Sequence, residues 1–243
     1  MFDITIVIPC YNEEKNLQSL VSQIQAIKKN NKDINLEFVL VNDGSTDQTS
    51  SKLFELNKDN IYSVVDLKIN HGYGGSIQEG LKKSNGEIVS WTHSDLQCDI
   101  NDIVIVYRLY KKKLLDGKCI VKGKRIKRRF KDSFFSISMS LIASVIFNKR
   151  FREINAQPKV FSKKLLKEFD NAPKDFSLDL YLLYISKLKS YEIIEHEVVY
   201  KKRLAGVSKG GDSFLGKIKL TLRTLKYIIS LRIRSYDNNN SSN

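Results

Sequence analysis

The sequence predicts an α/β fold in which a mainly parallel sheet carries helices on both faces, with a basic amphipathic helix appended at the C-terminal end. Three observations predict it. Short apolar runs alternate with stretches of helical periodicity through the first hundred residues. Polar clusters follow three of those runs at the point where each strand should end. The length of 243 residues is enough for one substantial core.

In order, Ile4 to Ile8 is an apolar strand, and Leu17, Leu20, Val21, Ile24 and Ile27 mark a helix. Asn12 is placed to cap that helix, and Lys28 and Lys29 suit its C-terminal end. Leu36 to Val41 is a second strand, which runs into Asp43-Gly44-Ser45-Thr46-Asp47 and a helix carrying Leu53 and Leu56. Tyr62 to Ile69 is a third strand, Gly74 to Ser84 a helix closed by Gly86, and Glu87 to Thr92 a fourth strand. Further on come a helix from about Ile100 to Leu115, a basic strand at Cys119 to Lys124 and a serine-rich apolar helix from about Ser133 to Asn148. Ser177 to Ser190 reads as a helix and Tyr191 to Lys201 as a strand. From Phe214 to Ile233, Leu215, Ile218, Leu222, Leu225 and Ile229 recur at helical spacing, with Lys217, Lys219, Arg223 and Lys226 on the polar side. The expected organisation is a domain over 1–210, an amphipathic helix over 211–236 and a disordered polar tail over 237–243.

The net charge of +14 sits in two segments. Arg108 to Lys131 holds 12 Lys or Arg against one acid, and Lys201 to Arg234 holds 10 against one, so the rest of the chain is acidic. Nucleic acid, anionic lipid and a substrate diphosphate would each attract such patches. Cys10, Cys98 and Cys119 are odd in number and follow no metal-ligand spacing, which suits packing thiols in a reducing compartment. No secretory leader is read at the start. The longest largely apolar stretch, Phe134 to Phe147, contains four serines and falls short of the roughly 20 residues a membrane span needs. No dinucleotide-binding GxGxxG and no GxxxxGK[ST] phosphate loop follows the first strand, which counts against NAD enzymes and P-loop NTPases, and no glycine-rich loop with Arg and Lys follows Ile8, which counts against a nucleotidyltransferase.

Three motifs carry a resemblance. Thr5-Ile6-Val7-Ile8-Pro9-Cys10-Tyr11-Asn12-Glu13-Glu14, Val41-Asn42-Asp43-Gly44-Ser45-Thr46-Asp47 and His93-Ser94-Asp95-Leu96-Gln97 resemble the family 2 glycosyltransferases in order and spacing. Residues 203 to 209 fit the RxxGxSK pattern of the dolichyl- and undecaprenyl-phosphate sugar synthase branch through Arg203, Gly206, Ser208 and Lys209, so the resemblance extends over roughly 3 to 210. It implies a GT-A fold, a UDP- or GDP-sugar donor, and a polyprenyl phosphate or a glycan as acceptor.

The resemblance also implies roles. Pro9, Tyr11, Glu13 and Asp43 would hold base and ribose, since a nucleobase needs a flat partner and a carboxylate for its polar edge. Turn and cap chemistry is the other reading of Asp43 and Ser45. Asp95 would bind Mn²⁺ or Mg²⁺, with Gln97 and Ser94 beside it and His93 standing where related synthases carry an acid. An imidazole favours Mn²⁺ over Mg²⁺; otherwise His93 meets the sugar or phosphate, or caps a turn. In His71-Gly72-Tyr73-Gly74-Gly75-Ser76 the small residues, Gly75 among them, would let backbone approach the donor, or would simply form a tight loop. Arg203 and Lys209 offer fixed positive charge to a diphosphate or a lipid phosphate. Asp179 either positions the acceptor or stabilises a helix start. Asn155-Ala156-Gln157-Pro158-Lys159 resembles an acceptor-side segment.

The expected reaction is in-line attack on the anomeric carbon with inversion, with Asp95, Arg203 and Asp179 as the catalytic set. An acceptor that is already a phosphate anion needs no strong base, whereas a sugar hydroxyl on a growing surface polysaccharide does. Expected partners are the donor, the acceptor and an anionic membrane surface on the cytoplasmic side, with no nucleic acid; a nucleic-acid-binding module is the remote alternative.

Overall fold

The computed structural model describes residues 2–126, 130–201 and 214–240, the side chains at 130–135, 214–215, 217–220 and 234–240 excepted. Two compact units divide it: residues 1–127 with 156–206, and residues 128–155 with 207–243.

The first unit contains one seven-stranded sheet in the order β3-β2-β1-β4-β6-β5-β7. Its strands are β1 (Ile4–Cys10), β2 (Leu36–Asp43), β3 (Ser63–Leu67), β4 (Ile88–Trp91), β5 (Cys119–Ile126), β6 (Lys159–Ser162) and β7 (Glu192–Val199). Helices α1 (Leu17–Asn30), α2 (Thr49–Glu55), α3 (Gly72–Lys82) and α4 (Asn101–Leu115) connect the first five strands, and α6 (Leu178–Leu188) precedes β7. Strands β1 to β4 pair in parallel, as does β5 with β7, while β6 runs antiparallel to both β4 and β5. The sheet is therefore mainly parallel, as the alternating pattern predicts.

Continuous burial along β1 and β2 explains why both read as unbroken apolar runs: helices cover both faces. On one face, Ile4, Ile6 and Ile8 of β1 join Leu36, Phe38 and Leu40 of β2 in a core with α1 and α4. All five apolar positions read for the first helix are buried in α1. Gly80 of α3 lies against the other face, where a Cβ would stand 2.4 Å from Val7 Cγ1.

Two local expectations change, and the structure adds one strand. Asn12 does not cap α1, whose cap position is Asn16. Gly86 does not end α3, which stops at Lys82; instead its N–H donates to Thr5 Oγ1 at 2.8 Å, bringing the chain onto β1. Strand β6, four residues that begin with a lysine, gives no periodic signal of its own.

In the second unit, α5 (Phe130–Phe147) packs with α7 (Phe214–Asn240), so the serine-rich helix groups with the C-terminal helix and not with the sheet domain expected over 1–210. Helix α7 also continues into the polar segment expected as a tail from residue 237. Among the described residues, no helix is long and apolar enough to cross a membrane.

Candidate active site

From β1 the chain steps outward through β2 to β3, then returns to the opposite side of β1 as β4. In sheets of this type ligands bind beyond the carboxyl ends of the strands where the strand order reverses, here β1 and β4. The segments following β1, β2 and β4 all emerge at this edge.

The segments after β1 and β2 are laced together. Asn12 adopts a left-handed φ of 55°, a conformation asparagine tolerates better than most residues. From there its N–H donates to Ser45 Oγ at 3.0 Å, its side-chain carbonyl accepts from Thr46 N at 2.8 Å, and its amide donates to Thr46 Oγ1 at 3.1 Å. Glu13 N–H donates to Thr49 Oγ1 at 2.8 Å, and Gln48 N–H donates to Glu14 Oε2 at 3.1 Å. This bridging is why Asn12 is not a helix cap. It leaves Pro9, Tyr11 and Glu13 half-buried at the rim, with Asn16 donating to Glu13 at 2.5 Å.

Asp43, buried at the end of β2, accepts the His71 N–H at 2.7 Å, tying the second segment to the start of α3. Gly44 makes the turn at φ 64°, where a Cβ would stand 2.5 Å from the Ile69 carbonyl carbon. At the α3 start, the Gly75 N–H donates to the Lys174 carbonyl at 2.9 Å. The chain's own 173–175 segment therefore occupies the space beside these glycines that the sequence reading reserves for a ligand.

Beyond β4, His93 is partly buried, and burial lowers its pKa against the opposing pull of Asp95 and Asp179. The imidazole is thereby kept neutral, the form that binds metals. Ser94 is buried beneath this edge. Asp95 is buried and accepts the Gln97 N–H at 3.1 Å. Gln97 departs from the expected ligand set: its Oε1 accepts from Tyr200 Oη at 2.8 Å and its Nε2 donates to the Lys201 carbonyl at 3.3 Å, which turns the amide toward the end of β7. No three His, Cys, Asp or Glu side chains converge on a metal position among the described residues. Asp95 with His93 fits an ion that takes its other ligands from diphosphate oxygens and water, the habit of hard divalent cations.

Behind this edge lies a buried polar cluster that the sequence reveals only in part. Asp179, 1% exposed at the start of α6, accepts from Trp91 Nε1 at 3.1 Å and from Gln157 Nε2 at 3.1 Å, and pairs with Lys159 Nζ at 3.3 Å. Tyr73 Oη lies 3.4 Å from its second oxygen and accepts from Gln157 Nε2 at 2.9 Å. The Tyr73 ring stacks on Phe176 at 4.6 Å and stands 5.4 Å from the His93 ring. Burial brings the Lys159 pKa down to about 8, opposed by Asp179 and assisted by Lys122. The Asn155 to Lys159 segment, which the resemblance places on the acceptor side, supplies Gln157 and Lys159 to this cluster, whereas Trp91, at the end of an apolar strand, carries no sequence signal that separates it from an ordinary core aromatic. Arg203 and Lys209 lie outside the described residues.

Comparison with known proteins agrees with this architecture. Poly-beta-1,6-N-acetyl-D-glucosamine synthase of Staphylococcus epidermidis is 30% identical over 96 residues, covering 40% of this chain and 22% of that protein. The corresponding synthase of Staphylococcus aureus is 29% identical over the same length. The chain thus matches only about a fifth of the length of these curated relatives. Glucosyl-3-phosphoglycerate synthase of Mycobacterium tuberculosis, solved with Mn²⁺, UDP-glucose and phosphoglyceric acid, superposes with a TM-score of 0.70 at 17% identity, covering 95% of this chain and 79% of that one. A mannosyltransferase of Pyrobaculum calidifontis, solved with GDP-mannose and Mn²⁺, gives 0.61 at 20% identity, covering 84% and 58%. These likenesses establish a GT-A-like α/β fold. Residues 5–173, more than half of the sequence, match the model of glycosyl transferase family 2, and the chain belongs to that family.

Proposed function

We propose that the protein transfers a sugar, with inversion, from a nucleoside diphosphate-sugar to a polyprenyl phosphate. The observation that carries the choice of acceptor is the placement of Asp179. Its carboxylate is 1% exposed and surrounded by donors from Trp91, Gln157, Lys159 and Tyr73, a poor position from which to take a proton from an incoming hydroxyl. A phosphate acceptor is already an anion and asks for no such base.

In this reading Pro9, Tyr11, Glu13 and Asp43 hold the base and ribose at the carboxyl ends of β1 and β2. Asp95 and His93 hold Mn²⁺, which when bound neutralises the diphosphate of the leaving group; neutral imidazole makes Mn²⁺ a better fit than Mg²⁺. Arg203 and Lys209 add positive charge for the departing diphosphate or the lipid phosphate.

Docking at the cytoplasmic face of a membrane is supported by the second unit. Ile137, Leu141 and Val145 form a stripe at four-residue spacing on α5, 51%, 65% and 72% exposed. On α7, Leu222, Ile229 and Ile233 are exposed along with the basic Arg223, Lys226 and Arg232. Apolar and basic residues together suit an anionic lipid surface. The names of the staphylococcal relatives favour a second reading, in which the acceptor is a sugar hydroxyl of a growing polysaccharide.

The deciding experiment measures UDP and GDP release from a panel of nucleotide sugars with Mn²⁺ or Mg²⁺, with and without undecaprenyl phosphate in detergent, for wild type and Asp95→Ala. Release that depends on the lipid and is lost in Asp95→Ala is expected. Lipid-independent release that glycan oligomers stimulate would replace the first reading with the second.

A further inference from the structure

Among the described residues Lys159 is the most deeply buried charge, at 0% exposure, and its position is costly. In register it stands between Trp91 of β4 and Lys122 of β5. Like charges directly opposite one another on neighbouring strands repel. Each lysine is offset by its own carboxylate: Lys122 by Glu195 of β7 at 3.1 Å, Lys159 by Asp179 at 3.3 Å. Well-packed apolar side chains in place of a buried ion pair are often neutral or stabilising, so stability alone is a weak account of the pair.

What the pair does is fix geometry. Held by Lys159, the Asp179 carboxylate gathers the Trp91 indole N–H and the Gln157 amide on one oxygen and faces Tyr73 Oη with the other. Lys159 also donates to the Ala156 carbonyl at 2.6 Å, anchoring the segment that carries Gln157. Tyr73, clamped between Gln157 and the Phe176 ring, presents its own ring to His93.

We infer that Lys159 is a positioning residue for sugar transfer: through Asp179 it sets Gln157, Trp91 and Tyr73 as a rigid wall behind the His93–Asp95 edge. This rests on the reading of that edge as the donor site. Lys159 itself touches neither donor nor acceptor, and acts through the groups that Asp179 holds.

The test compares wild type with Lys159→Met/Asp179→Asn, which removes both charges together and so avoids stranding one of them. Thermal unfolding, followed by the fluorescence of Trp91, the only tryptophan, reads folding. Nucleotide release with the donor and acceptor that support wild-type turnover gives kcat and KM for the donor. A melting temperature unchanged or raised, donor KM within about threefold and kcat lowered about 10- to 100-fold is the expected result, since a small misplacement of site groups costs on that scale. A folded double variant with wild-type kcat overturns the inference. If the double variant does not fold, Tyr73→Phe decides: it keeps the ring stack and deletes only the hydroxyl, and kcat equal to wild type overturns the proposal while a several-fold loss at constant donor KM supports it. A wild type that releases no nucleotide from any donor removes the proposed function, and this inference with it.

Discussion

Replacing Gly74 with alanine places a methyl group where the first turn of α3 meets the 173–175 segment. The added Cβ would stand 2.5 Å from the Pro173 carbonyl oxygen, 2.6 Å from that of Asp175 and 2.9 Å from the Lys174 carbonyl carbon. All three are backbone atoms, so no side chain can rotate out of the way. The segment must move or the helix start must open, against the bonds from Gly75 N–H to Lys174 at 2.9 Å and from Gln78 Nε2 to Pro173 at 2.9 Å. Overpacking costs about 1–3 kcal/mol, and three backbone atoms within 2.9 Å put this site in the upper part of that range, about 2–3 kcal/mol. Alanine returns about 1 kcal/mol through its better helix propensity. The net loss, about 1–2 kcal/mol, lowers the melting temperature by about 2–8 °C for a chain of this size. Movement of the segment also drags Phe176 off the Tyr73 ring, so nucleotide release should fall along with stability. Gly75→Ala is the comparison: its Cβ would stand 2.8 Å from His71 Cβ, which side-chain rotation cannot move, and 3.5 Å from Lys174 Cβ, so it meets one close approach where Gly74 meets three, and a smaller loss is expected. Circular dichroism melts of both variants beside nucleotide-release rates make the comparison. A melting temperature for Gly74→Ala equal to wild type, or higher, refutes the reasoning.

Burial, aided by Asp99, raises Asp102 from 3.8 to about 6. The folded state then binds this proton more tightly than the unfolded state, so the stabilisation is full below the unfolded value and is lost as pH rises through about 6. Asp102→Asn should therefore raise the melting temperature at pH 7.5 and leave it nearly unchanged at pH 3.5. A shift of this size corresponds to about 3 kcal/mol, reduced to about 1 kcal/mol for a partly exposed group, and a difference between variant and wild type that is the same at both pH values would contradict it. The thiols supply another check: Cys10, Cys98 and Cys119 are all buried and free, and burial raises all three, Cys98 to about 12 and Cys119 to about 11. A thiol reagent at pH 8 should label the native protein slowly and three sites per chain after denaturation; complete native labelling within minutes would count against the packing described.

The sequence alone determined the parallel half of the sheet and the edge that carries the candidate site. Strands β1 and β2 are buried on both faces, so their apolar runs are unbroken, and polar motifs can only follow where each strand leaves the core. Pro9 to Glu13, Asn42 to Asp47 and His93 to Gln97 therefore belong to one edge on the strength of the sequence pattern.

Tertiary structure decided the rest, because partner choice across elements depends on register and packing that no local pattern encodes. Strand β6 has four residues and no period, yet it places Lys159 between Trp91 and Lys122. Lys159 meets Asp179 only because β6 and the start of α6 converge, and that meeting turns an acid open to two sequence readings into the centre of a buried network. Gln97 sits inside the motif that suggests a metal ligand, but Tyr200 and Lys201, about a hundred residues further along, claim its amide. Likewise α5 joins α7 in a separate unit: its serines are interspersed with apolar residues, so its sequence marks no single face and its neighbour is settled by packing alone.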